Sequence, residues 1–170
     1  HFIGIGGISM SGLAHILREK NFTISGSDSA ESALTDELTA AGCTIHYPQK
    51  AENITDDIDL VVYTAAIRDD NPELARAKAC GITCITRAEL LGGIMHNYDV
   101  ALNIAGTHGK TTTTSMVTEI LLAADADPTI SVGGILNSIG GNIRIGRSGI
   151  FVTEACEYTN SFLSFMPTMN

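Results

Sequence analysis

Tryptophan is absent, and Phe and Tyr together make up only 5% of the 170 residues. Any core is therefore expected to be built mainly from aliphatic side chains. Proline occurs four times, too seldom for a proline-rich rod or linker. Basic residues are also scarce, with 10 Lys and Arg against 19 Asp and Glu and a net charge of −9. The deficit is spread along the chain: 7 basic against 13 acidic residues over 1–97, and 3 against 6 over 98–170. With no basic cluster in either part, a nucleic-acid backbone or an anionic membrane surface is not expected as a partner. No apolar run reaches the length of a membrane span, so membrane insertion is not expected either. No basic segment followed by an apolar stretch marks export, so the expected location is cytoplasmic. The four cysteines, Cys43, Cys80, Cys84 and Cys156, are then expected as reduced thiols. Cys80 and Cys84 have a spacing that suits a metal, but no second pair accompanies them.

Hydrophobic residues at 44% and charged residues at 17% suit a folded domain with a buried core. Strand and helix signals alternate. Short apolar strands are expected at His1–Ile5, Phe22–Ser25, Cys43–Ile45, Asp59–Tyr63 and Ile82–Ile85. Met10, Leu13, Ala14 and Leu17 form a helical stripe. Residues 32–41 form a second helix, stopped by Gly42, and Pro72 opens a third that ends before Gly81. Arg87 to about His96 forms a fourth. This alternation calls for a parallel sheet covered on both faces. A new unit begins after Asn97-Tyr-Asp99. It has a strand at Val100–Ala105, a helix at Thr111–Ala124, and strands at Thr129–Val132 and Ile150–Thr153. Six glycines between 133 and 149 indicate loop or hairpin there. The expected domains are residues 1–97 and 98–170. The second has so few strands that its edges would be exposed, so the chain is expected to be a fragment.

Two glycine-rich turns carry the chemistry. Gly4-Ile-Gly6-Gly7-Ile-Ser9-Met-Ser-Gly12 joins the first strand to the first helix. Glycines there permit a tight turn and close approach of backbone to a phosphate at the helix N-terminus. Asp28 falls at the end of the second strand, where an acid meets a ribose hydroxyl. These glycines do not separate a nicotinamide dinucleotide from a nucleotide-sugar diphosphate, or either from a turn that holds no ligand. The second turn is Gly106-Thr107-His108-Gly109-Lys110-Thr111-Thr112. Its backbone amides would wrap phosphates, Lys110 would supply a point charge, and the Thr111 hydroxyl would reach Mg2+. The usual phosphate loop has a glycine where Ile104 stands, so this one is a shorter variant. The bland alternative is a helix cap made by Thr111–Thr114. Glu154, ending the last strand, either completes a magnesium shell or is simply solvated. His108 either touches substrate or covers the loop. Glu52, Asp56, Asp57 and Asp59 are expected in a solvated loop, and His1, His15, His46 and His96 as ordinary surface or boundary residues. The fold expected is α/β: a Rossmann-like parallel-sheet domain, then the start of a P-loop ATPase domain.

The two turns, in this order, resemble those of the Mur ligases of peptidoglycan synthesis. Gly4 to Ala14 is similar to the family's first loop, and Ala105 to Thr114 to its ATP loop, with His108 where several members carry Asn. Ser25-Gly-Ser-Asp28, Asp70-Asn-Pro-Glu73, Arg87-Ala-Glu-Leu90, Gly133-Gly134, Glu154-Ala-Cys-Glu157-Tyr158 and Ser161-Phe-Leu163 continue the likeness. Cys156 departs from it, standing where many members have Asp. The resemblance implies a three-domain ligase using ATP and Mg2+, in which L-alanine is joined to the carboxylate of UDP-N-acetylmuramate through an acyl phosphate. It implies that Gly4, Gly6, Gly7 and Ser9 hold the UDP diphosphate and that Asp28 lies toward uridine. It assigns Gly106, Thr107, Gly109, Lys110, Thr111 and Thr112 to ATP, Lys110 and His108 to catalysis, and Thr111 and Glu154 to the metal. A sister activity that reattaches recycled peptide to UDP-muramate shares the His-containing loop. A nicotinamide-dependent dehydrogenase is the alternative from another class. The fragment alone is expected not to turn over, because the closing domain is missing.

Overall fold

The structure is a computed structural model that describes residues 1–154. Cys156, Glu157, Tyr158 and Ser161–Leu163 lie outside the described residues. The chain divides into two compact units, His1–Arg87 and a second from Ala88 onward.

The first unit is a five-stranded, wholly parallel sheet built from β1 (Phe2–Ile3), β2 (Ser25–Ser27), β3 (Thr44–His46), β4 (Leu60–Tyr63) and β5 (Thr83–Thr86). Its order is β3-β2-β1-β4-β5. The order reverses at β1, and in open sheets of this kind the crevice at that point is where ligands bind. Phe2 and Ile3 point to opposite faces and both are buried, so β1 is covered on both sides. Helix α1 (Ile8–Glu19) buries Met10, Leu13 and Ala14 of the expected stripe, and Ile16 beside them. Helix α2 (Ala33–Ala40) starts on a capping box made by Ser32 and Thr35. Helix α3 (Pro72–Ala79) starts on Asn71, whose side chain accepts from Glu73 and Leu74 amides. Leu74 and Ala77 of α3 pack with Ile3 and Val61 of the sheet and with Ile54. Burying each such aliphatic side chain contributes about 1.5–3 kcal/mol.

The second strand lies later than expected. It is Ser25–Ser27, and Phe22 is exposed. The reason is steric. Phe2 pairs with Gly26, and a Cβ there would meet Ile5 Cδ1 at 2.5 Å and the Phe2 carbonyl at 2.9 Å. Only glycine lets β2 approach that closely, so the strand centres on the residue the hydrophobic pattern passes over.

The second unit contains most of α4 (Arg87–Met95), then β6 (Val100–Ile104), α5 (Lys110–Ala123), β7 (Thr129–Leu136), β8 (Gly141–Arg144) and β9 (Ile150–Glu154). The sheet order is β6-β9-β7-β8, parallel except for the β7–β8 hairpin. Strand β7 runs on through Gly133 and Gly134, so the glycine-rich stretch is hairpin, and among the described residues it contains no α-helix. Ile130, Val132 and Val152 form the buried cluster, with Val117 and Leu121 of α5 packed on it. The α/β class, with a Rossmann-like parallel first sheet, is the one expected. Among the described residues no helix is long and apolar enough to cross a membrane.

Candidate functional site

The two glycine turns follow β1 and β6 and lead directly into α1 and α5. Neither helix has a side chain capping its N-terminus, and neither has an acid in its first turn. Helices α2 and α3 differ: each is capped by a side chain, and each has an acid in its first turn. A helix start without cap or acid presents N–H groups and a partial positive charge to whatever lies beyond it.

In the first turn Gly4 takes φ +81°, a conformation that favours glycine. Its amide and that of Ile5 donate to the Ser27 carbonyl at 2.8 and 3.0 Å. Gly6 donates its amide to Asp28 Oδ2 at 2.8 Å, and the other Asp28 oxygen accepts from the Ser29 amide at 2.7 Å. Asp28 thus braces the turn from inside. Gly7 is the N-cap of α1, and its amide donates to the Gly4 carbonyl at 3.3 Å. Ser9 Oγ accepts from Arg87 Nη1 at 3.0 Å. The structure therefore brings Gly4, Gly6, Gly7, Ser9 and Asp28 together and adds Arg87, the cation that the glycine motif lacks.

In the second turn Gly106 and Gly109 take φ of +151° and +78°. Thr107, His108 and Thr112 are exposed. Lys110 is the first residue of α5, and its Nζ donates to the Gly106 carbonyl at 2.5 Å, folding the charge back over the loop. Thr111 Oγ1 donates to Glu154 Oε2 at 3.2 Å. Glu154 Oε1 is buried with no hydrogen-bond partner. A hydroxyl and an orphaned carboxylate oxygen side by side form a donor set of the kind Mg2+ takes. Gly133 keeps the space: a Cβ there would lie 3.1 Å from Glu154 Oε2. Among the described residues no three His, Cys, Asp or Glu side chains converge on a metal-sized site. Cys80 is exposed and Cys84 Sγ donates to the Ile82 carbonyl.

Two residues escaped the sequence reading. His1 was expected at a surface or boundary without partners, but its side chain is buried. Its Nδ1 lies 2.9 Å from Ser25 Oγ, and its Nε2 lies 3.5 Å from Glu73 Oε2. Glu73 is fully buried although it begins a helix. Its Oε2 accepts from Ser27 Oγ at 2.5 Å, and its Oε1 accepts from Asn53 Nδ2 at 2.6 Å and the Lys50 amide at 3.3 Å. Burial pushes its carboxyl upward. The His1 ring 3.5 Å away and the hydrogen bonds from Ser27 and Asn53 outweigh that and hold it below the ordinary glutamate value. A first-turn acid after Asn-Pro reads as a solvated helix-dipole partner, so no sequence signal marked its burial.

Fold and turns together define a doubly wound α/β protein with two glycine turns that each lead from a strand into an uncapped helix start. The chain belongs to the Mur ligase family: residues 1–99 match the Mur ligase family, catalytic domain. Among curated relatives, it is 73% identical over 170 residues to UDP-N-acetylmuramate–L-alanine ligase of Lachnospira eligens, covering all of this chain and 37% of that protein. The solved UDP-N-acetylmuramate-alanine ligase of Thermotoga maritima superposes with a TM-score of 0.87 at 34% identity, covering 99% of this chain and 40% of that one. The UDP-N-acetylmuramate:L-alanyl-gamma-D-glutamyl-meso-diaminopimelate ligase from Neisseria meningitides gives a TM-score of 0.91 at 29% identity, covering 99% of this chain and 58% of that one. The chain spans little more than a third of the length of the curated relatives it matches.

Proposed function

We propose that this chain is the UDP-sugar-binding and ATP-binding part of an ADP-forming, cytoplasmic ligase that joins L-alanine to UDP-N-acetylmuramate in peptidoglycan synthesis. The observation that carries the reading is the pair of uncapped, acid-free helix starts at α1 and α5, each behind a glycine turn. Two anion cradles suit a reaction that brings a UDP-sugar and ATP together. A dehydrogenase would leave the second cradle without a purpose. Among the curated relatives the alanine ligase reaches 73% identity, and among the solved structures the alanine ligase at 34% exceeds the peptide ligase at 29%, which favours alanine as the attacking amine.

In the reaction, an oxygen of the sugar's lactoyl carboxylate attacks the γ-phosphorus of ATP, and the bond to the bridging oxygen of ADP breaks. The amine of alanine then adds to the acyl phosphate, and phosphate leaves from the tetrahedral intermediate. The first step brings an anion to an anion, so fixed donors and cations must offset the repulsion. The amides of Gly106 to Thr112 and the Lys110 ammonium do this at the β- and γ-phosphates. His108 stands exposed in the same turn and would face the nucleotide from there. Thr111 and Glu154 would hold Mg2+, which when bound adds positive charge between ATP and acceptor. The amides at the start of α1, beyond Gly4, Gly6, Gly7 and Ser9, take the UDP diphosphate. Arg87, bonded to Ser9, adds a cation beside this helix start, and Asp28 lies toward the uridine side.

Calorimetric titration tests the reading. UDP-N-acetylmuramate and MgATP each bind the chain once, and neither prevents the other. Saturable binding of NADH with no binding of UDP-N-acetylmuramate overturns it.

A further inference from the structure

Glu73 is a buried carboxylate that none of the proposed chemistry uses. Leaving an ionised carboxyl inside a fold is costly unless its oxygens are fully engaged. Here they are engaged by three separate pieces of chain. Ser27 reaches it from the end of β2, Asn53 and the Lys50 amide from the turn before β4, and His1 from the start of β1. It also lies in the first turn of α3, where the helix favours a negative charge.

What Glu73 holds is the base of the first anion turn. Its partner Ser27 is bound at both ends. The Ser27 hydroxyl donates to Glu73, while its carbonyl accepts the amides of Gly4 and Ile5. The next residue, Asp28, accepts the Gly6 amide. Three successive amides of the turn are therefore fixed by Ser27 and Asp28, and the position of Ser27 is fixed by Glu73. A helix on a different part of the chain thus determines how the turn is set and in which direction it leads into the first turn of α1. We infer that Glu73 is a positioning residue for diphosphate binding, acting through Ser27 on the Gly4–Gly7 turn. This rests on the assignment of that turn to the UDP-sugar.

The test compares wild type, Glu73→Gln and Ser27→Ala, each checked for folding by circular dichroism. Calorimetry measures the affinities for UDP-N-acetylmuramate and for MgATP separately, and amide NMR follows Gly4, Ile5 and Gly6. Expected for Glu73→Gln is about tenfold weaker UDP-sugar binding, unchanged MgATP binding, and displaced resonances for those three amides. Ser27→Ala, which keeps the carboxylate and its other partners, is expected to move the same readouts in the same direction by about threefold. It decides the matter if Glu73→Gln does not fold. A loss of thermal stability with UDP-sugar affinity unchanged in either folded variant overturns the inference and leaves Glu73 a plain stabiliser. A wild-type chain that binds no UDP-sugar at all instead overturns the assignment of the turn.

Discussion

The Thr111 hydroxyl, in the first turn of α5, donates to Glu154 Oε2 at the end of β9, 3.2 Å away. Strand register explains the meeting. Ile104 of β6 pairs with Glu154 of β9, so the acid stands level with the residue from which the second turn departs. The turn then returns the chain to the same sheet edge at Lys110 and Thr111. Glycine at 133 leaves the carboxylate its space.

Replacing Glu154 tests this pair as a cation site. Glu154→Gln keeps the shape and removes the charge. ATP is expected to bind the variant about tenfold more weakly than wild type in the presence of Mg2+, and equally in excess EDTA. Isothermal titration under both conditions measures it. An equal loss with and without the cation would mean that the acid serves the loop and not the metal.

Lys110 distinguishes the two glycine turns. Its ammonium now rests on the Gly106 carbonyl and would be recruited by phosphates arriving over the turn. Lys110→Ala is expected to weaken MgATP binding about 100-fold, because a charge-assisted bond to phosphate is lost. UDP-N-acetylmuramate affinity is expected to stay within about twofold of wild type, since Lys110 belongs to the second unit. Parallel titrations of both ligands check it. Matching losses would show that one turn serves both nucleotides.

Much of this was legible in the sequence because the signals were local. Strand, glycine turn and helix succeed one another within a few residues at both cradles, and the α/β class follows from that alternation. Thr111 and Glu154 could be paired because each belongs to a recognisable strand or helix end. What stayed hidden depends on distant contacts. The β2 strand was placed too early because Gly26 carries no hydrophobic signal, although its missing side chain is what admits Ile5. Arg87 and Ser9 are 78 residues apart, and no spacing rule joins them. Glu73 looks like any solvated acid at a helix start until the fold closes over it.

Gly26 therefore carries a prediction about stability. A methyl group there would press on Ile5 and on the Phe2 backbone, which cannot move without disturbing the β1–β2 pairing. Gly26→Ala is expected to destabilise the chain by about 1–3 kcal/mol, the range for overpacking a tight interior. Urea denaturation followed by circular dichroism reads the change. A midpoint equal to that of wild type would show that the strands separate more easily than their packing indicates.

The Glu73 network makes stability depend on pH in a definite direction. The folded carboxyl titrates below the ordinary glutamate value, so the unfolded chain binds protons more readily than the folded one. The stabilisation is complete above the unfolded value of about 4.3 and is lost as pH falls toward the folded value. Asp57, Asp69 and Asp127 are held low as well, chiefly by hydrogen bonds from Thr55, Lys78 and Arg144, so wild type alone would not isolate Glu73. The comparison with Glu73→Gln does. At about pH 6–7 wild type is expected to be more stable than the variant by about 1–3 kcal/mol, the cost of breaking a buried hydrogen-bonded charge. Below about pH 4.5 the gap should narrow, because wild type gives up what the variant never had. Urea midpoints across that range measure it. A gap that keeps its full size down to about pH 3 would mean that the Glu73 network contributes through its shape, with the charge adding nothing.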